Sequence, residues 1–299
     1  MSKKLKNLLI LHGTVIIFGY TGIWGKLISI EAIPLVWWRI LIAIASIFLF
    51  LVLSKKLGIP DRKMLVKFCL VGGAIAVHWI TFFAAIKVSN VSVALAVMAS
   101  AAFFTSVLDP LISGKKFIRY EAILGLITIF GITIIFGFEF RYFMGILLAL
   151  CSAFLAALFT VINGQFIQKN DSYTITFWEM IGGFVAVSIF LFAQDGYTAD
   201  LFKLSLSDLK YLLLLGVLAT TIGFIASVKV MEVLSPFTVA LTVNLEPVYA
   251  IILALIYFGD SESMSWQFYV GTIIILGTIF LNTYLKRKKE AKTGIKSQV

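Results

Sequence analysis

Apolar stretches of about 20 residues, broken by short polar segments, repeat along the whole chain, and that is the length at which a helix crosses a ~30 Å hydrocarbon layer. They run over Leu8–Ile28, Leu35–Leu53, Met64–Ala85, Val91–Ile112, Tyr120–Phe138, Phe143–Gln165, Thr174–Phe192, Leu209–Val230, Pro236–Phe258 and Phe268–Leu285. None shows the short alternating pattern of a membrane barrel strand. The pattern predicts an all-α polytopic membrane protein with ten transmembrane helices.

The fourth and ninth stretches are two copies of one element. Ser92–Leu108 and Thr238–Ala254 share Val-Ala-Leu at the same three places, a valine at Val97 and Val243, and an aromatic at Phe103 and Tyr249. The copies stand five helices apart. Five is odd, so the second half enters the membrane from the opposite side, and the repeat is inverted, as in many secondary transporters. The expected units are a five-helix repeat over 1–140, a second over 141–286, and a basic, disordered tail over 287–299.

Composition sharpens this picture. The chain is 61% hydrophobic and 13% charged, with a mean hydropathy of +1.03, against roughly a quarter charged in a soluble domain. The net charge of +10 does not point to nucleic acid, because the basic residues sit in short clusters between apolar runs. With the N-terminus placed in the cytoplasm, nineteen Lys and Arg fall on that side, among them Lys3, Lys63, Lys116 and Lys286, and five on the other: Lys26, Lys87, Arg141, Lys203 and Lys210. The positive-inside rule then predicts both termini in the cytoplasm of a cell membrane, the inner membrane of a bacterium. Cys69 and Cys151 lie inside apolar runs and form no disulfide framework.

Polar groups inside lipid are costly and therefore candidates for function. The second span carries Trp37, Trp38 and Arg39, the third His78 and Trp79, the sixth Asn163, the seventh Glu179, and the ninth Asn244 and Glu246. Tyr20 and Trp24 on the first span either line an aromatic pocket or fill the bundle. Glu246 lies close to the midpoint of its span and precedes Pro247, which removes a helical hydrogen bond and predicts a local break. Two readings stand there: a substrate or proton site, or a hinge. No lysine or arginine is expected at the depth of Glu246. Arg39 also has two readings, snorkelling to the headgroups beside an interfacial Trp37–Trp38 belt, or an outer gate that binds a carboxylate. No nucleotide-binding, metalloprotease or serine-hydrolase motif is present, so no cofactor, metal or catalytic residue is assigned.

Asn244-Leu-Glu-Pro-Val248 followed by Gly259-Asp260 resembles the last-repeat pattern of EamA-type permeases in the drug/metabolite transporter superfamily, in which Glu usually stands where Asp260 does. Phe18-Gly19-Tyr20 through Trp24-Gly25 is similar to that family's first helix, and Arg39 matches an arginine often found in its second. The first repeat departs from the pattern, with Ala101 in place of the usual proline and Gly114 in place of Asp260, so equal hinges in the two halves are not implied. The resemblance implies two inverted five-helix repeats and a central cavity bounded by the first, third, fourth, sixth, eighth and ninth helices. It also implies a secondary transporter, an exporter of amino acids or related small metabolites working by alternating access. Its partners are a small-molecule substrate, the lipid bilayer and, if Glu246 exchanges one, the proton. The candidate substrate contacts are Tyr20, Trp24, Trp38, Arg39, His78, Trp79, Asn163, Glu179, Asn244 and Glu246. The other classes consistent with these residues are an importer of a small polar solute and an intramembrane enzyme, with His78 and Glu246 as its one plausible catalytic pair.

Overall fold

The computed structural model describes residues 2–55, 57–114, 119–243 and 245–293, and within them the chain is helical without strands. In chain order the helices are α1 (Lys3–Leu27), α2 (Ala32–Leu53), α3 (Arg62–Val88), α4 (Val91–Met98), α5 (Ala101–Ser113), α6 (Arg119–Phe138) and α7 (Phe143–Phe166). They continue as α8 (Ser172–Ala193), α9 (Leu206–Leu213), α10 (Ile225–Val230), α11 (Pro236–Val243), α12 (Glu246–Phe258) and α13 (Trp266–Thr293). Between α9 and α10, residues Leu214–Phe224 form a π-helix. Among the described residues, eight segments are long and apolar enough to cross a membrane; α6 and α13 hold the shorter apolar stretches Ile123–Ile135 and Trp266–Thr278. The expected count of ten crossings therefore rests on α6 and α13. Helix α13 also continues to Thr293, through part of the tail expected to be disordered.

Local sequence starts these helices. Side chains of Ser2, Asp61, Asn90, Asp171 and Ser205 accept hydrogen bonds from backbone N–H groups in the first turns of α1, α3, α4, α8 and α9, satisfying donors that would otherwise be orphaned. Helix α5 ends at Gly114, whose φ of 67° is the left-handed conformation that glycine adopts without steric cost. The span expected from Leu209 starts earlier, with Ser205 as the cap of α9, and Asp208 in its first turn has another task.

Two expected helices are broken. The fourth span divides into α4 and α5 around Ala99-Ser100, where Ser100 N–H bonds the Val97 carbonyl three residues back, at 3.0 Å. The ninth divides into α11 and α12, where Leu245 N–H bonds Thr242 O at 3.0 Å. The second break is the one expected at Pro247. The first occurs without a proline at 101, so the chain breaks in both halves despite the departure from the family pattern. Pro247 sits in the first turn of α12, where its missing N–H costs nothing.

Glycine contacts bring the backbones together. A Cβ at Gly72 on α3 would overlap the Glu179 carbonyl oxygen on α8, and one at Gly182 would overlap the Cys69 backbone. Helices α6 and α13 meet in the same way, with Gly131 and Gly271 each facing the other's carbonyl oxygen. Thr128 and Thr278 lie 3.2 Å apart on the same pair. Small residues at such points let membrane helices approach closely.

Three buried carboxylates close the end of the bundle opposite Lys3. Glu262, in the turn after α12, accepts from the N–H groups of Val91 and Ser92 at 3.0 and 2.8 Å and from Lys26 Nζ at 2.8 Å. Asp208 accepts from the Ser29 N–H and hydroxyl at 2.6 and 2.8 Å. Glu139 accepts from Ser265 N–H at 3.0 Å. Each carboxylate joins segments far apart in sequence, and the first caps the positive end of α4 in the sense of the helix dipole.

Two stability predictions follow from these contacts. Gly72→Ala is expected to destabilise the folded protein by about 1–3 kcal/mol, because the new methyl meets backbone that has nowhere to move. Thermal denaturation in detergent reads this, and an unchanged midpoint contradicts the packing. Glu262→Ala leaves two buried N–H groups without an acceptor, a loss of about 2 kcal/mol or more. Glu262→Gln, which keeps one acceptor, is expected to fall between wild type and Ala in the same measurement.

Candidate functional site

A cavity of about 130 Å³ lies in the middle of the bundle between the two helix breaks. Its wall takes Phe18 and Thr21 from α1, His78, Trp79 and Phe82 from α3, and Leu95, Met98 and Ala101 from the α4–α5 break. Ala157 and Phe159 come from α7, Ala219 and Phe224 from the π-helix, and Val243, Glu246 and Pro247 from the α11–α12 break. All six expected helices contribute, and α2 joins them through Arg39. The wall is mostly apolar and aromatic with a few convergent polar groups, the usual composition of a small-molecule site.

Arg39 is the main correction to the sequence expectations. Its place in the first turns of α2 suggested an interfacial side chain, yet it is 3% exposed and points inward. Three neighbours hold it. Its Nε donates to Thr220 Oγ1 at 2.8 Å, its guanidinium carbon stands 3.9 Å from the centre of the Trp79 ring, and the Phe83 ring lies 5.6 Å away. The π-helix explains the Thr220 contact. Its wider turn lets the Thr220 hydroxyl donate to the Leu215 carbonyl five residues back, at 2.8 Å, and turns the hydroxyl oxygen toward Arg39; π-segments recur at functional sites. With Nε occupied and one face stacked, the two terminal amino groups of Arg39 have no hydrogen-bond partner among the described residues.

Glu246 stands in the first turn of α12, next to the positive end of that helix. It shares the cavity wall with Thr21, whose hydroxyl donates to the Phe18 carbonyl at 2.7 Å, and with Arg39. The expectation that no cation reaches its depth is therefore overturned: Arg39 enters from α2 because the side chain turns inward. Arg39 and Glu246 line one cavity as an opposite-charge pair.

His78 is buried on the same wall. Its Nδ1 lies 2.8 Å from the Ser152 hydroxyl and 2.9 Å from the Ser152 carbonyl oxygen. That hydroxyl donates to the His78 carbonyl at 2.9 Å. The Ser152 proton is therefore already used, so Nδ1 carries the hydrogen and Nε2 is the acceptor of the neutral ring. Phe82 stacks on the ring and Phe159 meets it edge-on.

The other expected contacts lie elsewhere. Tyr20 and Trp24 stack on each other at 5.7 Å and do not line the cavity. Trp38 donates Nε1 to the Leu201 carbonyl at 2.8 Å, and Trp37 donates to Ser188 at 3.0 Å. Together they fix the segment before α9, with Phe202 against both rings. Asn163 and Glu179 pair with each other at 3.3 Å, away from the cavity wall. Asn244 lies outside the described residues. The sequence reading missed Phe18, Thr21, Phe82, Phe159 and Phe224. The signal was weak, since apolar aromatics and single threonines in a membrane helix look the same in a packed core and in a cavity wall.

At the end that holds Lys3, a wider basin of about 1,020 Å³ opens between Asp109, Ser113, Gly164, Gln165 and the Met231–Pro236 turn. The opposite end is the one closed by Glu262, Asp208 and Glu139. The cavity thus lies between a basin at one end and a carboxylate clasp at the other.

The chain is similar to other proteins both in fold and in sequence. One solved crystal structure, described only as that of a protein, superposes with a TM-score of 0.71 over 95% of this chain and 99% of its own, at 14% identity. A relative in Bacillus subtilis (strain 168), named uncharacterized transporter YdfC, is 26% identical over 302 residues, covering 99% of this chain and 96% of that protein. The EamA-like transporter family model matches residues 5–137 and again 143–284, once for each half. With both halves matched and the helices broken around a shared central cavity, the chain belongs to the EamA-like transporter family.

Proposed function

We propose that this transporter is a secondary carrier for small zwitterionic metabolites, amino acids or close relatives, that it exports them by alternating access, and that its two repeats occupy 1–140 and 141–286. The observation that carries the reading is the pairing of Arg39 with Glu246 across one small, largely apolar cavity. A zwitterion matches it group for group. Arg39 offers two unpaired terminal amino groups, the fork that receives a carboxylate bidentately. Glu246 and the Thr21 hydroxyl offer acceptors for an ammonium group. The aromatic wall of Phe18, Trp79, Phe82, Phe159 and Phe224 accepts an apolar side chain.

Alternating access needs one end open and the other shut. The basin at the Lys3 end and the carboxylate clasp at the other support a state open toward the termini, which the charge distribution places in the cytoplasm. Opening the far end requires Glu262 to leave Val91, Ser92 and Lys26. Helices α6 and α13, packed on each other through Gly131 and Gly271, supply the remaining two of ten crossings.

Arg39→Lys keeps the charge but loses the fork. Uptake of a labelled amino-acid mixture into proteoliposomes is expected to lose about tenfold in apparent affinity or more, which corresponds to about 1.4 kcal/mol. An unchanged affinity removes Arg39 from the site. Glu246→Gln, measured alongside, is expected to weaken uptake of zwitterions more than uptake of the corresponding acids that lack the amine.

Topology gives a separate check. Reporter domains fused after Lys63 are expected to be active in the cytoplasm, and those fused after Lys203 outside. The opposite pattern inverts the orientation and the direction of export with it.

A further inference from the structure

A second buried acidic group stands apart from the central cavity. Glu179 on α8 is fully buried, and Asn163 and Thr176 beside it are at most 1% exposed. Thr176 and Glu179 are three residues apart on α8 and share a face. The Asn163 amide donates to Glu179 Oε2 at 3.3 Å. That single long bond is all the group holds. Glu179 Oε1, Asn163 Oδ1 and Thr176 Oγ1 have no hydrogen-bond partner among the described residues. Three buried oxygen atoms on α7 and α8 thus lack a partner among the described residues, where native interiors leave very few polar atoms unpaired.

No positive charge compensates Glu179. The titratable groups on the elements packed around it are engaged elsewhere. On α3, Cys69 turns its thiol to the Trp178 carbonyl and His78 is held by Ser152. Arg62, Lys63 and Lys67 lie exposed at the start of that helix. On α2, Arg39 bonds Thr220. On α10, exposed Lys229 sits over the Tyr173 ring. On α8 itself, Asp171 caps the helix start. An ionised carboxylate at this position would be a bare charge in a dry interior. A proton on Oε1 resolves the arrangement. It removes the uncompensated charge and converts the atom from an acceptor to a donor. Glu246 differs on this point, since it lines the same cavity as Arg39.

We propose that Glu179, held by Asn163, is the proton-binding residue of this carrier and couples its cycle to the proton gradient. The proposal rests on the carrier reading above. The carboxylic acid releases its proton to water as hydronium at one membrane face, and the carboxylate takes one back at the other. Access comes through α7. Val161, Gly164 and Gln165, flanking Asn163 in sequence, line the open basin, so a small rotation of α7 brings Asn163 and the carboxyl into contact with water. Helix α8 meanwhile stays pressed on α3 at Gly72 and Gly182.

The test uses the purified full-length protein in lipid and needs no substrate in its first arm. Infrared difference spectra after a rise in pH are expected to show loss of a carboxylic C=O band that Glu179→Gln removes and Glu246→Gln keeps. Absence of a band that depends on Glu179 overturns the proposal. Should Glu179→Gln fail to fold, Asn163→Leu is expected to shift the pH midpoint of the wild-type band, and an unmoved midpoint overturns it equally. In the second arm, proteoliposomes receive an equimolar mixture of the common amino acids. Glu179→Gln is expected to keep exchange of the amino acids and to lose net flux driven by an imposed pH gradient. A Gln variant that still follows the gradient overturns the proton role. A wild type without flux sinks the carrier reading instead, and the infrared arm still decides the proton site.

Discussion

Inside a lipid bilayer a helix cannot stop without cost, because no water waits to bond its free ends. This chain stops two helices in mid-bundle, at Ala99-Ser100 and around Leu245, and most of the site depends on how those ends are accommodated. Both breaks tighten by bonding an N–H to a carbonyl three residues back instead of four. The second places Glu246 and Pro247 in the first turn of a new helix, so a carboxylate sits where the dipole is positive and a proline where no N–H is needed. The cavity forms at the point where the two breaks face each other, and its polar character follows from them.

The repeat, the helical class and the break at Glu246-Pro247 were legible in the sequence because each leaves a local mark: Val-Ala-Leu twice, apolar runs of membrane length, a proline after a mid-span carboxyl. The break at Ala99-Ser100 left none, since no proline marks it. The two readings of Arg39 stayed open for a physical reason. Depth along a helix is readable from sequence, but direction is not, and the inward turn depends on Trp79 and on a π-helix that carries Thr220 around by one extra residue per turn. Glu262, Asp208 and Glu139 were passed over because they stand in or beside connections, where a carboxylate looks solvated; the structure buries each one against backbone N–H groups of a distant segment. Even the acidic position of the family pattern misleads here, since Asp260 is exposed and Glu262, two residues on, is buried.

The two intramembrane glutamates separate by their surroundings. Both lie on apolar helices, and by depth alone they count as equivalent candidates. Glu246 shares a cavity with a guanidinium stacked on Trp79, so its charge has a counterpart that a ligand can replace or join. Glu179 has an amide, a hydroxyl and closely packed glycine contacts, and no cation. A pair of opposite charges lining a cavity suits recognition of a zwitterion, because both ends of the ligand are matched while the protein's own charges stay compensated when it leaves. A lone carboxyl with no cation beside it suits a proton, the smallest species that can neutralise it without widening the α3–α8 contact.

The two ends of the bundle differ in the kind of interaction that closes them, and this bears on how the carrier moves. At the end away from Lys3, closure depends on directional bonds. Glu262 holds two N–H groups of α4 and Lys26 of α1, and Asp208 holds the end of α1. Such contacts hold firmly at their distances of 2.6–3.0 Å and little beyond, so they favour two discrete states over gradual opening. The clasp also joins the two halves directly, since Glu262 belongs to the second repeat and Val91, Ser92 and Lys26 to the first. On the alternating-access reading proposed above, release of Glu262 frees the Val91 and Ser92 N–H groups, and the break at Ala99-Ser100 is where α4 tilts while α5 remains packed on α7. The hinge in the first half, which no proline marks, is the one on which the clasp pulls.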